Sequence, residues 1–367
     1  MLALLAVTLL LGCQGDDTKR FCHNAFTKGD SASCQRRDME FGKNIIDSQH
    51  LYTHDPIFCN VPHIICPTLR YFVFDYTGLR IPVHFDCNNL NKGKAWSPTH
   101  DYYNAVPDRW YMCNIHEANL RSSLEFFTPS LPLVDEEYDE QVTLVKEVVR
   151  VSEELGQDDF VLFEAGARWG TWGFRAVALA NLITAGHMKV RPVFWEPDAR
   201  SVQGIHATAR ANNISDSAYR VYQTFFDEAG FVKAAADFER IDYLDIDIQK
   251  GESVLCEKKA FLQVAAAKVR LLKIGTHTPG IHENLLECLP KLLPKFKVLD
   301  NVEPGYKKFS MKDLFRNRRA WKEIRGGHYF HNSSQGPFAS WDGDLALLNT
   351  GLDPSRIISK PPIRNLT

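Results

Sequence analysis

Apolar positions change their rhythm along the chain near residue 131. Beyond it, Val142, Val145, Val148 and Val149 recur at helical spacing behind Asp135-Glu136-Glu137, an acidic start that suits the positive end of a helix dipole. Phe160-Val161-Leu162-Phe163 is a short all-apolar run, the pattern of a strand covered on both faces. A helical pattern runs from Thr171 to about Ala185. A second strand is expected at Val193-Phe194-Trp195, with a helix over Ala199–Ala211 behind it. Further strands are predicted at Tyr219–Tyr222, Tyr243–Ile248 and Val269–Ile274, each followed by a helical stretch, and two more at Phe296–Val302 and Leu345–Leu348. Strands alternating with helices specify an α/β fold with a parallel sheet and crossover helices.

Residues 16–130 have a different texture, rich in Pro, Asn, Cys and aromatics, with short strand candidates at Tyr71-Phe72-Val73-Phe74 and Ile81-Pro82-Val83. Ahead of them, Leu2 to Leu11 is almost unbroken apolar sequence ending in Gly12-Cys13-Gln14-Gly15. It is too short to span a bilayer and reads as a signal peptide over 1–15, although no Lys or Arg precedes it. Two other readings stand beside this one. Leu10-Leu11-Gly12-Cys13 resembles a lipoprotein box that would anchor the chain through Cys13, and the stretch can also be a buried apolar segment. No apolar run reaches the roughly 18–20 residues of a membrane span. The expected organisation is a leader over 1–15, a cysteine-rich region over 16–130, an α/β domain over 131–357 and a tail over 358–367.

Composition narrows the class. With 43 Lys and Arg against 45 Asp and Glu, the net charge of −2 lacks the basic surplus that nucleic-acid binding requires. Hydrophobic residues at 44% and charged residues at 24% exclude a disordered chain. Of the nine cysteines, only Cys256 and Cys288 follow Cys113. Without the leader, Cys22, Cys34, Cys59, Cys66, Cys87 and Cys113 form an even set whose pairing the sequence leaves open. In an oxidising lumen disulfides are their default state. The sequons at Asn213-Ile214-Ser215, Asn332-Ser333-Ser334 and Asn365-Leu366-Thr367 agree with a secretory route. His50, His54, Cys59, His63 and Cys66 lie close together, but without paired C-x2-C spacing, so no metal site is expected.

Candidate chemistry gathers at predicted strand ends. Glu164-Ala165-Gly166-Ala167-Arg168-Trp169-Gly170 joins the first strand to its helix, where glycine allows a tight turn and close approach of a ligand. Trp195-Glu196-Pro197-Asp198 ends the second strand, where a carboxylate can accept both hydroxyls of a ribose. Gly166 and Gly170 lack the middle glycine of G-x-G-x-x-G, which disfavours a dinucleotide. An acidic Glu164 would repel a pyrophosphate but tolerate a cationic sulfonium and amino-acid ligand, favouring S-adenosylmethionine (SAM). Glu164, Gly166, Ala167, Gly170, Glu196 and Asp198 are therefore the candidate cofactor residues.

These segments, followed by Asp247-Ile248-Gln249-Lys250-Gly251-Glu252, resemble the FkbM-type family of SAM-dependent methyltransferases. The likeness extends to Leu131-Pro132-Leu133-Val134-Asp135-Glu136-Glu137-Tyr138, to Ile274-Gly275-Thr276-His277 and to Asp342-Gly343-Asp344-Leu345-Ala346-Leu347-Leu348-Asn349, covering roughly residues 131–352. It implies a seven-stranded class I, Rossmann-like sheet with the last strand antiparallel, and methyl transfer to oxygen on sugars or small natural products. The chain departs from the family at Arg168, where Gly or Asn is common, and at Gln249 and Lys250, where D-x-E-G-x-E is usual.

Methyl transfer needs an in-line acceptor oxygen and a route for its proton. Asp247 and His277, at predicted strand ends, are the candidate bases, His277 being better tuned by its intrinsic pKa. His282 and Glu283 are expected on the surface, and Glu252 at a helix N-terminus. Trp169 and Trp172 can stack on a ligand or simply pack. Lys307 to Arg325 is a basic tract interleaved with Phe315 and Trp321, either a solvated face or a surface for an anionic or sugar acceptor. The leading expectation is an O-methyltransferase acting in a secretory lumen on a glycan or glycosylated small molecule. The alternative is an inactive secreted binding protein that keeps the fold.

Overall fold

A computed structural model describes residues 138–302 and 343–352 throughout, 64–82 ahead of them, and short pieces at 23–24, 57, 61, 120, 125–127, 304, 330–333 and 336–339. The leader, Cys22, Cys34, Cys59, Cys87, Cys113, the basic tract and the tail lie outside the described residues.

One sheet of seven strands organises the domain. Its strands are β1 (Asp159–Ala165), β2 (Lys189–Trp195), β3 (Arg220–Tyr222), β4 (Ile241–Ile246), β5 (Val269–Thr276), β6 (Phe296–Val302) and β7 (Gly343–Asn349). They lie in the order β6-β7-β5-β4-β1-β2-β3. Strands β3, β2, β1, β4 and β5 run parallel, and β7 is antiparallel to both of its neighbours. This is the class I methyltransferase sheet. The chain winds outward from β1 through β2 and β3, then returns to β4 on the other side. The carboxyl ends of β1 and β4 thus form the switch point where ligands of open α/β sheets bind. Strand β4 stops at Ile246, two residues short of the expected end. The Asp247 N–H makes the last bond of its ladder with β1, to the Ala165 carbonyl at 2.9 Å, and β1 turns away at Gly166.

The inner strands are buried on both faces because helices cover both, while the edge strands β3 and β6 are more exposed. On one face, α1 (Tyr138–Val149) and α2 (Thr171–Thr184) bring Val145, Val148, Trp172 and Leu179 onto Phe160, Leu162, Tyr243 and Leu271. The opposite face packs Phe231, Phe261 and Leu285 against Phe163, Leu244, Leu272 and Leu347. Those three belong to α4 (Glu228–Ala235), α5 (Lys259–Lys268) and α6 (Pro279–Leu292). Helix α3 (Ala199–Ala211) contributes Ile205 and Ala209 to a third cluster with Phe174, Phe194 and Tyr219. Among the described residues, no helix is long and apolar enough to cross a membrane.

Part of the region expected to be an N-terminal appendage belongs to this core. A hairpin of Phe72–Phe74 and Arg80–Pro82 inserts Val73, Leu79 and Ile81 into the third cluster, beside Ala167 and Trp169. Asn212 ties its edge by accepting from the Arg80 N–H at 2.8 Å and donating to the Arg80 carbonyl at 2.7 Å. Arg175 of α2 donates from Nε to Asp75 at 2.9 Å, with both side chains buried. Two disulfide findings add to this. Cys66 is disulfide-bonded, and Cys256 bridges to Cys288, tying the turn at Gly251–Glu257 to α6.

Removing one partner of a buried ion pair costs about 3–5 kcal/mol because the other charge stays buried. Asp75→Ala is therefore expected to lower the unfolding free energy in urea by about that much. Asp75→Ala combined with Arg175→Met should cost clearly less than the two single changes added together. A single variant as stable as the parent would mean that the hairpin does not anchor to α2.

Candidate functional site

The site starts with a turn that excludes side chains. Gly166, directly after β1, has φ +86, and a Cβ there would lie 1.8 Å from the Asp247 carbonyl oxygen. The N–H groups of Gly166 and Ala167 donate to the Trp195 carbonyl at 2.9 and 3.2 Å, so the turn is laced between the ends of β2 and β4. Gly170, φ +83, leads into α2 where a side chain would strike the Phe174 ring. Glu164 does not face this opening. Its buried carboxyl accepts from the N–H groups of Trp172 at 3.1 Å and Gly173 at 2.8 Å, capping the first turn of α2. Burial pushes its pKa up to about 8, against the downward pull of those two hydrogen bonds and of Arg175. It is therefore mostly uncharged at neutral pH, and the expectation that its negative charge meets a cationic ligand gives way to a structural role.

Glu196 follows β2 at the rim. Its Oε2 accepts from the Arg168 N–H and its Oε1 from the Asp198 N–H, both at 2.8 Å. Burial raises its pKa, with the Asp198 N–H pulling it back. Each oxygen keeps a lone pair for another donor. Asp198 serves as the N-cap of α3, accepting from the Ser201 N–H at 2.7 Å, a bond that lowers its pKa. Beyond β3, Phe225 is 76% exposed, while Trp195 stacks on Tyr222 and meets Phe226 edge-on. Trp169 and Trp172 are buried, with the Arg175 guanidinium over both rings at 5.8 and 5.0 Å, and serve packing.

The candidate bases meet at the ends of β4 and β5. His277 Nε2 lies 3.0 Å from Asp247 Oδ1, and His277 Nδ1 lies 3.2 Å from Glu252 Oε1. Glu252 is wholly buried and also accepts from the Ile248 N–H at 2.8 Å. The Gln249 amide nitrogen stands 2.9 Å from His277 Nε2. Gly275 lies against the Asp247 carboxyl, where a Cβ would stand in ordinary contact at 3.4 Å. Burial alone would lower the His277 pKa, but hydrogen bonds and charge from Asp247 and Glu252 outweigh it and raise the value to about 10. His277 is thus an imidazolium at neutral pH, which removes it as the resting base. The Asp247 side chain, 40% exposed, is the open end of the triad. Glu252, expected only at a helix start, is its buried end, which strand-end logic alone did not reveal. His282, expected on the surface, is buried between Thr276 Oγ1 at 2.9 Å and Asn301 Oδ1 at 2.6 Å.

The departures at Arg168, Gln249 and Lys250 share one property. All three have positive φ, at 50°, 53° and 79°, the region glycine adopts without strain. Arg168 spends its N–H on Glu196, and Lys250 opens the turn that carries Glu252.

No family model and no curated protein matches the chain. Solved structures resemble it at low identity. The Bacillus cereus O-methyltransferase in complex with SAH is 11% identical, with 64% of this chain and 89% of that chain covered at a TM-score of 0.33. The fibrillarin pre-rRNA processing protein of Methanococcus jannaschii is 12% identical over 53% and 68%, with a TM-score of 0.32. The methyltransferase FkbM of Methylobacillus flagellatus is 16% identical over 38% of this chain and 39% of its own, with a TM-score of 0.31.

Non-glycine residues in the left-handed region cost about 1–2 kcal/mol, part of which glycine's greater unfolded-state freedom offsets. Lys250→Gly should therefore raise stability by roughly 0.5–1 kcal/mol, read as a higher urea midpoint at unchanged slope. A lower midpoint would show that the Lys250 side chain contributes more than its backbone costs. Stability should also fall as pH rises. Glu164 and His277 both bind protons more tightly in the folded state. The Glu164 contribution is lost between about pH 4.5 and 8, and that of His277 between about 6.5 and 10. Urea midpoints from pH 6 to 9.5 should decline, with a shallower decline in His277→Gln.

Proposed function

We propose that the chain is a SAM-dependent O-methyltransferase of FkbM type, acting in an oxidising secretory lumen on a hydroxyl of a glycan or glycosylated small molecule. The observation that carries the cofactor choice is the capping of α2 by Glu164. A dinucleotide places its pyrophosphate on the N–H groups at such a helix start. Here the N–H groups of Trp172 and Gly173 are committed to Glu164. SAM carries no phosphate and needs no such donors. The residues fit it in a second respect, since Glu196 presents two oxygens with spare lone pairs at the end of β2, within reach of ribose hydroxyls. The disulfides at Cys66 and between Cys256 and Cys288 support an oxidising compartment.

When bound, SAM supplies an activated methyl carbon. The chain's part is to position the acceptor oxygen and receive its proton. Asp247 is the group for that proton: it is half open to the site, and its backbone is fixed against Gly166. His277, held cationic between two carboxylates, orients Asp247 rather than taking the proton itself. Asp247 would receive the hydroxyl proton as the methyl group is transferred to the acceptor oxygen.

Calorimetric titration of the full chain with SAM tests this reading. Binding is expected in the parent and at least tenfold weaker binding in Glu196→Ala. No heat at millimolar SAM, or equal affinity in the variant, would defeat the assignment. Once an acceptor is identified, Asp247→Asn should lower kcat by about 10²–10⁴-fold, the usual worth of a positioned base, with SAM affinity retained.

A further inference from the structure

The Asp247–His277–Glu252 group has the form of a metal site with its supporting shell. One potential ligand atom from each residue lies within 4.8 Å of the others. The two ring nitrogens of His277 face opposite ways, so the three residues divide into two roles. On the Nδ1 side, Glu252 Oε1 lies 3.2 Å away, placed as the second carboxylates that orient metal-bound imidazoles are. On the Nε2 side, Asp247 Oδ1 at 3.0 Å and the Gln249 amide at 2.9 Å converge on the same nitrogen. Ligand atoms at right angles around an ion with bonds of about 2.1 Å stand roughly 3.0 Å apart. The spacing on this side therefore matches adjacent positions of one coordination sphere. Turning the Gln249 amide over presents its oxygen in place of its nitrogen.

A second observation points the same way. Glu252 is wholly buried, and its Oε2 accepts no hydrogen bond among the described residues. With Asp247 it places two carboxylates around one imidazole, a concentration of negative charge larger than one proton offsets. A divalent ion in place of the proton on Nε2 brings the group to neutrality.

We propose that Asp247, Gln249 and His277 bind one divalent metal ion through mixed oxygen and nitrogen ligands, with Glu252 holding the imidazole in position. An imidazole beside a carboxylate and an amide oxygen suits Mn²⁺ or Zn²⁺ better than a site of oxygens alone would. The half-open Asp247 side leaves coordination positions for water or an acceptor hydroxyl. Metal binding here does not rest on the methyltransferase reading, and its test uses no SAM.

The full chain, stripped with chelator and dialysed, is titrated with MnCl₂ while free Mn²⁺ is followed by electron paramagnetic resonance. One equivalent is expected to bind per chain, and Zn²⁺ should displace it. Asp247→Asn and His277→Gln should each weaken binding at least tenfold, and Glu252→Gln by about 10–100-fold. Glu287→Gln, a change to an exposed carboxylate paired with Lys291, should leave binding unchanged. Circular dichroism confirms that each variant is folded. The unaltered chain gives a second readout if a variant fails to fold: the bound Mn²⁺ echo should carry the modulation of one directly coordinated imidazole nitrogen. A folded parent that binds no Mn²⁺ at millimolar concentration, an echo without that modulation, or affinity unmoved by Asp247→Asn and His277→Gln would overturn the proposal.

Discussion

The geometry of the site depends on one backbone contact too close for any side chain. Gly166 turns directly against the Asp247 carbonyl oxygen, and the Asp247 N–H returns a hydrogen bond to Ala165 at 2.9 Å. This contact joins the carboxyl ends of β1 and β4 where the chain reverses its winding. From there position passes outward. Asp247 sets His277 at the end of β5, His277 meets Glu252, and Glu252 is tied back to the Ile248 N–H. The Cys256–Cys288 bridge then fastens the turn carrying Glu252 to α6. Any β-carbon at position 166 would force β1 and β4 apart and shift the whole series.

Around this edge the chain places charge where a sheet is normally apolar. Lys273 of β5 pairs with Asp344 of β7, and Arg270 of β5 pairs with Glu147 of α1, all four side chains buried. Replacing buried ion pairs by apolar residues is often neutral or stabilising, so such pairs are poor evidence of stability. Their geometry fits a role in register. The β5–β7 pairing sets Lys273 opposite Ala346, and Asp344, two residues along on the same face, reaches it only in that register. The Arg175–Asp75 pair does for the N-terminal hairpin what Lys273 does for β7.

The fold was legible because the central strands are covered on two faces and the helices on one. The helix Ala199–Ala211 and the edge strand Phe296–Val302, which is largely exposed, are located to the residue. The apolar pattern carries β4 two residues too far because Asp247 and Ile248 still read as strand, while the partner strand β1 runs out at Ala165, far off in the chain, and turns away at Gly166. The same cause hid parts of the site. Glu164, Asp198 and His282 were visible as polar residues at element ends, but whether each faces a ligand or its own helix depends on which N–H or side chain tertiary packing delivers. Asp75 meets Arg175 a hundred positions away, so the docking of the hairpin left no local trace. Gln249 and Lys250 read as losses by residue type. In three dimensions both adopt left-handed backbones, and Lys250 opens the turn that carries Glu252.

What the triad does follows from how its charges are shared. Two carboxylates flank one imidazole, so a cation is stabilised at His277 whichever species supplies it. With a proton there, the ring is fixed as an imidazolium and Asp247 is the member left facing outward. With an ion in place of that proton, Asp247 would be one of its ligands, and the ion would supply Lewis-acid polarisation to a hydroxyl on the open side. The two states occupy one position and exclude each other. Glu252 serves both, because its carboxylate lies 3.2 Å from Nδ1, on the side of the ring away from Asp247. A buried, half-satisfied carboxylate is a costly residue to keep for stability alone. It makes physical sense as the fixed point against which a replaceable cation is held.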